Sequence, residues 1–240
     1  MAKIVSVDEL GRRLTEALGN RLITLIVYGS AAGAAARQDA AAVNTLLVCA
    51  QVDQALFEAL APVVTEWEAA GHPPPILLSE EEWRDSSDAF AIEYEDIRAR
   101  HRVVAGRDPW SGIVVRREDV VRQLEHELLG KLVRLRQGYV ATLGDGKRLA
   151  LLVSASAAGV LTMWRTLLRV AGRAVPETPG GVVKAAGELV GFPVNALAEV
   201  VASLESRQPL RLAARDPGAM AYLTAVARTA AYVNRGVNPT

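Results

Sequence analysis

Few residues in this chain have the types and the spacing that chemistry needs. The three histidines, His72, His101 and His126, stand in a proline-rich loop, after an apolar segment and on a helix, none of them four residues from another. They cannot assemble the three or four ligands of a zinc site. Cys49, between Val48 and Ala50, reads as a small core residue and not a nucleophile, because no activating neighbour stands beside it. No Ser, His and Asp order argues for a hydrolytic triad. Three features remain. A turn at Gly29-Ser30 ends the apolar run LITLIVY, as a buried strand running into a functional loop does. Glu93 and Glu95 lie one residue apart in an acidic segment, Phe90 to Asp96, and on a strand they share one face. Arg122, Lys131, Arg134 and Arg136 stand among leucines with Glu125 and Glu127, the pattern of a solvated helix face with i, i+3 and i, i+4 ion pairs.

The elements that position these residues follow from periodicity. Leu10, Leu14, Ala17 and Leu18 recur at helical spacing behind Asp8, which predicts a helix over 8–19 with Asp8 as its N-cap. Strands are predicted at 22–28, 43–50 and 90–95, with a shorter one at 76–78. A helix over 53–69 stops at His72-Pro73-Pro74-Pro75, and Ser79 with Glu82 forms a capping box opening a short helix. From Glu118 on, Val121, Leu124, Leu128, Leu132, Leu135 and Tyr139 mark one face of a long helix. Further helices are predicted at 148–171, 180–190, 193–206 and 217–234, separated by glycines and prolines. The fold class is therefore an α/β domain with a mixed sheet over 1–117, an all-α helical bundle over 118–235, and a short tail over 236–240.

Composition limits the partners. The chain has 240 residues, 50% of them hydrophobic and 22% charged, enough to bury one large core or two modest ones. The net charge is zero, yet residues 1–117 carry 12 basic and 17 acidic side chains, and residues 118–240 carry 15 and 10. Neither half has the basicity of a nucleic-acid-binding domain. The longest uncharged run, Leu149 to Trp164, has 16 residues, which is short of a bilayer span and reads as a buried helix. With a single cysteine and no leader-like opening, the expectation is a cytoplasmic protein with no membrane partner.

The order helix, strand, Gly29-Ser30, a loop of about a dozen residues, and a second strand starting near Ala42-Val43-Asn44 carries more. In it the sequence resembles the nucleotidyltransferase superfamily of the polymerase-β type. YGSAAG (Tyr28 to Gly33) matches that family's Gly-Ser turn, and VNTLLV (Val43 to Val48) matches the strand after its Asp-x-Asp pair. FAIEYED (Phe90 to Asp96) matches the later core strand with the third carboxylate, and HRVVAGRD (His101 to Asp108) looks like the segment closing such domains. The resemblance implies that Gly29 lets the backbone approach a triphosphate and that Ser30 donates its hydroxyl and N–H to phosphate oxygens. It also implies two magnesium ions held by the aspartate pair. Here Ala42 and Asn44 occupy those positions. Alanine has no ligand atom, and a neutral amide oxygen lacks the charge a hard divalent cation prefers. Asp39, five residues before Asn44, lies about 16 Å away along an extended chain and substitutes only if the loop folds back. The third carboxylate persists as Glu93 or Glu95, too little for a two-metal site.

In members of the kind of kanamycin nucleotidyltransferase, the helical domain closes over the cleft and brings a basic residue to the phosphates and a carboxylate base. By that analogy Arg134, with Glu125 or Glu127, stands in such a position. A ribonuclease of the HEPN type needs an Arg and a His near the end of the bundle, and no histidine follows His126. The expected protein is a catalytically degenerate nucleotidyltransferase-fold module that binds a nucleotide triphosphate or a protein partner, or forms a homo-oligomer. Its nucleotide contacts are expected at Gly29, Ser30, Arg122, Lys131 and Arg134, with no catalytic residue, no metal and no cofactor. Two alternatives remain: an active nucleotidyltransferase using magnesium, and a purely structural partner.

Overall fold

The computed structural model describes residues 6–32, 42–206 and 208–237. The chain divides into two compact units after Val115. Asp39 lies outside the described residues, as does the side chain of Ser30.

The first unit is built on a four-stranded sheet. Its elements are α1 (Val7–Leu18), β1 (Leu22–Tyr28), β2 (Asn44–Cys49), α2 (Gln54–Ala69), β3 (Ile76–Ser79), α3 (Glu80–Asp85), α4 (Ala91–Ala99) and β4 (His101–Gly106). The strand order is β3-β2-β1-β4. β1 runs antiparallel to both β2 and β4, while β2 and β3 run parallel, so the sheet is mixed. Alternation along the central strands sorts two faces. Leu25, Val27, Leu47 and Cys49 pack with Leu10, Leu14, Leu56, Leu60 and Trp67 of α1 and α2. Ile26, Leu46 and Val48 pack on the other side with Trp83, Tyr94 and Ile97 of α3 and α4.

The caps explain where the helices begin. Ser6, not Asp8, caps α1 by accepting the Glu9 N–H at 3.2 Å, and Asp8 falls within the first turn, where its charge suits the helix dipole. Asp53 caps α2 through the Leu56 N–H. The capping box at α3 is formed: Ser79 Oγ accepts the Glu82 N–H at 3.1 Å, and the Glu82 carboxylate accepts the Ser79 N–H at 2.7 Å.

One expected strand is a helix. Ile92 to Glu95 alternates apolar and polar residues after the apolar Phe90 and Ala91, yet α4 buries Ala91, Ile92, Tyr94 and Ile97, a helical pattern. Non-local contacts decide it. The Tyr94 hydroxyl donates to the Trp83 carbonyl at 2.6 Å, and the two rings stack with centroids 4.2 Å apart. The strand on that side of β1 is β4, whose Val103 and Arg102 stand opposite Ile26 and Val27.

The second unit consists of α5 (Arg117–Thr142), α6 (Gly146–Val170), α7 (Pro179–Val190), α8 (Ala198–Ser206) and α9 (Pro217–Asn234). Asp145, Thr178 and Asp216 cap α6, α7 and α9, and Pro179 and Pro217 open the last two helices, where a missing N–H costs nothing. The core gathers Leu132, Leu135, Val153, Val160, Trp164, Val183, Tyr222 and Val226. Two polar pairs lie within it: the Trp164 indole donates to Thr229 Oγ1 at 2.9 Å, and the Tyr222 and Ser156 hydroxyls meet at 2.8 Å. α6 is long and apolar enough to cross a membrane by length and composition alone, and half of its most apolar window is buried within the protein.

Candidate functional site

The site forms where β1 ends. Gly29 has φ +75°, a conformation that an L side chain rarely adopts, and it turns the chain into a short 3-10 segment, Gly29–Ala32. The Gly29 N–H donates to the Arg100 carbonyl at 2.9 Å. That amide therefore serves the fold.

Asn44 opens β2 directly opposite Tyr28 and is exposed. A Cβ placed on Gly29 would lie 3.9 Å from its Nδ2, so a neutral amide stands beside the turn. Val43 contributes its side chain to the core shared with α1 and α2. By alternation Ala42 and Asn44 share the opposite face, the one covered by α4.

Glu93 and Glu95 lie on α4 and so do not share a strand face. Two residues apart on a helix, they are about 200° apart around its axis. Glu95 turns to Arg98, 3.9 Å away. The charge of Glu93 acts on Tyr28 at the end of β1 together with that of Asp96, a residue not singled out from sequence. Burial raises the Tyr28 phenol above its ordinary range, and the charges of Asp96 and Glu93 add to that rise. Asp96 three residues after Glu93 was visible as a helical i, i+3 pair only to a reader who took the segment as a helix. Removing one charge should therefore register on the phenol: Asp96→Asn is expected to shift the Tyr28 titration downward, toward the usual value near 10. Ultraviolet phenolate titration, with Tyr28→Phe as the subtraction, reads it. An unchanged titration would place Asp96 away from the end of β1.

His101, opposite Tyr28 on the other side of β1, is committed to structure. An indole N–H can only donate and a carbonyl only accept. Its Nε2 thus accepts from the Trp110 indole at 2.9 Å, and its Nδ1 donates to the Arg98 carbonyl at 3.1 Å. Both nitrogens of the neutral ring are used.

The described residues at this end of the sheet do not supply a two-metal centre. Ala42 has no donor, Asn44 is neutral, and among the described residues no three His, Cys, Asp or Glu side chains gather as metal ligands would. Cys49 is fully buried, and burial pushes its thiol up to about 11, which keeps it protonated.

The basic residues of α5 do not form one cluster. Nine residues apart, Arg122 and Lys131 project to opposite sides of the helix. Arg122 pairs at 3.0 Å with Asp119, which is buried. The Lys131 ammonium reaches α6, where a Cβ on Gly159 would meet it at 2.9 Å. The Arg134 guanidinium folds back along its own helix over Gly130.

The first unit is thus a mixed sheet flanked by helices with a glycine turn at the end of β1, and the second is all helical. Among solved structures the chain is similar to spectinomycin adenyltransferase AAD(9) from Enterococcus faecialis, solved with ATP and spectinomycin. The TM-score is 0.59 at 13% sequence identity, over 90% of this chain and 95% of that one. The likeness is one of fold. No family model matches the sequence, and no curated protein matches it.

Proposed function

We propose that the protein is a nucleotide-triphosphate-binding module on a nucleotidyltransferase fold that does not transfer the nucleotide. The observation that carries this reading is the Gly29 turn with a neutral Asn44 beside it; by the resemblance of the sequence, Asn44 takes a position where transfer chemistry needs a charged metal ligand. Among the described residues, a Cβ at Gly29 would meet nothing closer than Asn44, so no described side chain crowds the backbone of the turn. The similar adenyltransferase was solved with ATP, which supports a triphosphate as the ligand class.

The nucleotide is held by the turn, through the N–H and hydroxyl of Ser30, without metal; Gly29 contributes a close backbone approach and not its N–H, which the Arg100 carbonyl takes. A contribution from Arg122, Lys131 and Arg134 acting as one group is not part of the proposal, because Arg122 and Lys131 lie on opposite sides of α5. Removing a single hydroxyl contact should cost on the order of 1 kcal/mol, so Ser30→Ala is expected to weaken ATP binding about fivefold. An isotherm for wild type and variant reads this. Absence of binding at millimolar ATP, GTP, CTP and UTP would sink the nucleotide reading and favour a structural partner protein. Transfer of a nucleotide to an acceptor would establish an active enzyme instead.

A further inference from the structure

Val43 stands just before β2, and among the described residues its backbone has no sheet partner of its own. The ladder with β1 ends at Tyr28 opposite Asn44, and β1 then turns away at Gly29. On the other side, β3 begins at Ile76 opposite Leu46, so continuing that register would set Pro73 across from Val43. The Pro73 carbonyl is already engaged: it accepts the Trp67 indole N–H at 3.0 Å. Val43 is 7% exposed, and a buried N–H left unpaired is costly. The structure fills the gap with a side chain. Val43 N–H donates to His72 Nδ1 at 3.3 Å, and the His72 ring lies on Trp67 with centroids 3.9 Å apart.

An Nδ1 that accepts cannot carry a proton, so this contact exists only with neutral His72. The tilted contact with the indole would, if anything, favour the protonated ring through cation–π attraction, so the hydrogen bond from Val43 is the contact that selects the neutral form. From these contacts we infer that His72 is a positioning residue: in its neutral form it pins the entry to β2, and thereby sets Asn44 beside Gly29, so that protonation releases this edge of the site. The consequence for nucleotide binding rests on the function proposed above; the pin itself does not.

Among the described residues the surroundings agree with a neutral ring. From α2 the facing group is the uncharged Trp67, and from the entry to β2 it is the Val43 amide. Glu66 on α2 is paired with Arg13 at 3.2 Å, and Glu68 is exposed. Burial alone holds the His72 pKa below its ordinary value. For a base so lowered, the stabilisation is fully present above the usual imidazole value of about 6.5 and is lost as pH falls through the folded value.

The test is amide hydrogen exchange at Val43, corrected for intrinsic rates, from about pH 8 to about pH 5. In wild type, protection of Val43 is expected to fall at least tenfold across the His72 titration while Leu47, inside the ladder, stays protected. His72→Phe keeps the stack but removes the acceptor, so at pH 8 it should already show the low Val43 protection. His72→Gln supplies an acceptor that does not titrate and should show no pH step. Wild-type protection that is flat with pH, or a Phe variant as protected as wild type at pH 8, would overturn the pin. Should the Phe variant not fold, the wild-type profile and the Gln variant still decide. ATP affinity measured on the same samples should fall with pH in wild type and not in His72→Gln. If the exchange step appears and no nucleotide binds at any pH, the pin stands and the nucleotide reading fails.

Discussion

Truncating Trp67 to alanine is expected to destabilise the first unit by about 3–5 kcal/mol. The side chain is fully buried in the core between the sheet and the α1 and α2 helices. Its loss removes the transfer free energy of a large aromatic group and leaves a cavity that close-packed neighbours fill only in part. Two further contacts go with it: the Pro73 carbonyl loses its donor, and His72 loses the ring it lies on. Trp67→Phe keeps most of the volume and loses the N–H, so about 1–2 kcal/mol is expected for it. Denaturant unfolding, followed by hydrogen exchange in β1 and β2, separates this from any change in the bundle. A Trp67→Ala loss below about 1 kcal/mol would show that the residue is not central to that core.

The second large effect is a gain. Ala42→Asp combined with Asn44→Asp places two carboxylates on the sheet face that α4 covers, near Glu93 and Asp96, whose charges already act on Tyr28. Without metal the added like charges repel each other and the acidic pair on α4, so the double variant should be less stable than wild type. With metal the same charges become ligands, and magnesium affinity is expected to rise at least tenfold, about 1.4 kcal/mol. A ligand that binds only the folded state raises its stability by about 2.7 kcal/mol at a hundredfold excess over Kd. Thermal unfolding with increasing magnesium should therefore move upward for the double variant and stay fixed for wild type. A double variant indifferent to magnesium would mean that the surroundings of the site have diverged along with the two positions.

Much of the architecture was legible because hydrophobic runs and breakers agreed. LITLIVY followed by glycine is β1, and the helices of the second unit fall within a few residues of where their leucine spacing and prolines put them. Phe90 to Glu95 was not legible. Over six residues a period of two and a helical face can bury the same Ile92 and Tyr94, and the choice rests on Trp83 and Trp110, distant in sequence, which pack against Tyr94. Misreading that helix hid Asp96 and paired Glu93 with Glu95, which the helix separates. The turn at Gly29 and the neutral Asn44 beside it could be read directly, since each depends on residue type at a strand end. His72 could not, because its partner is a backbone amide 29 residues earlier whose lack of a sheet partner only the register reveals.

The most direct measurement is a calorimetric titration of ATP into the unmodified protein at millimolar magnesium and again in excess chelator, with the nucleotide analysed afterwards. Binding through the Gly29-Ser30 turn and not through metal predicts Kd values within about threefold of each other, since no charge-assisted metal contact is lost, and intact ATP at the end. Binding abolished by the chelator, or ATP consumed in transfer to an acceptor, would contradict it.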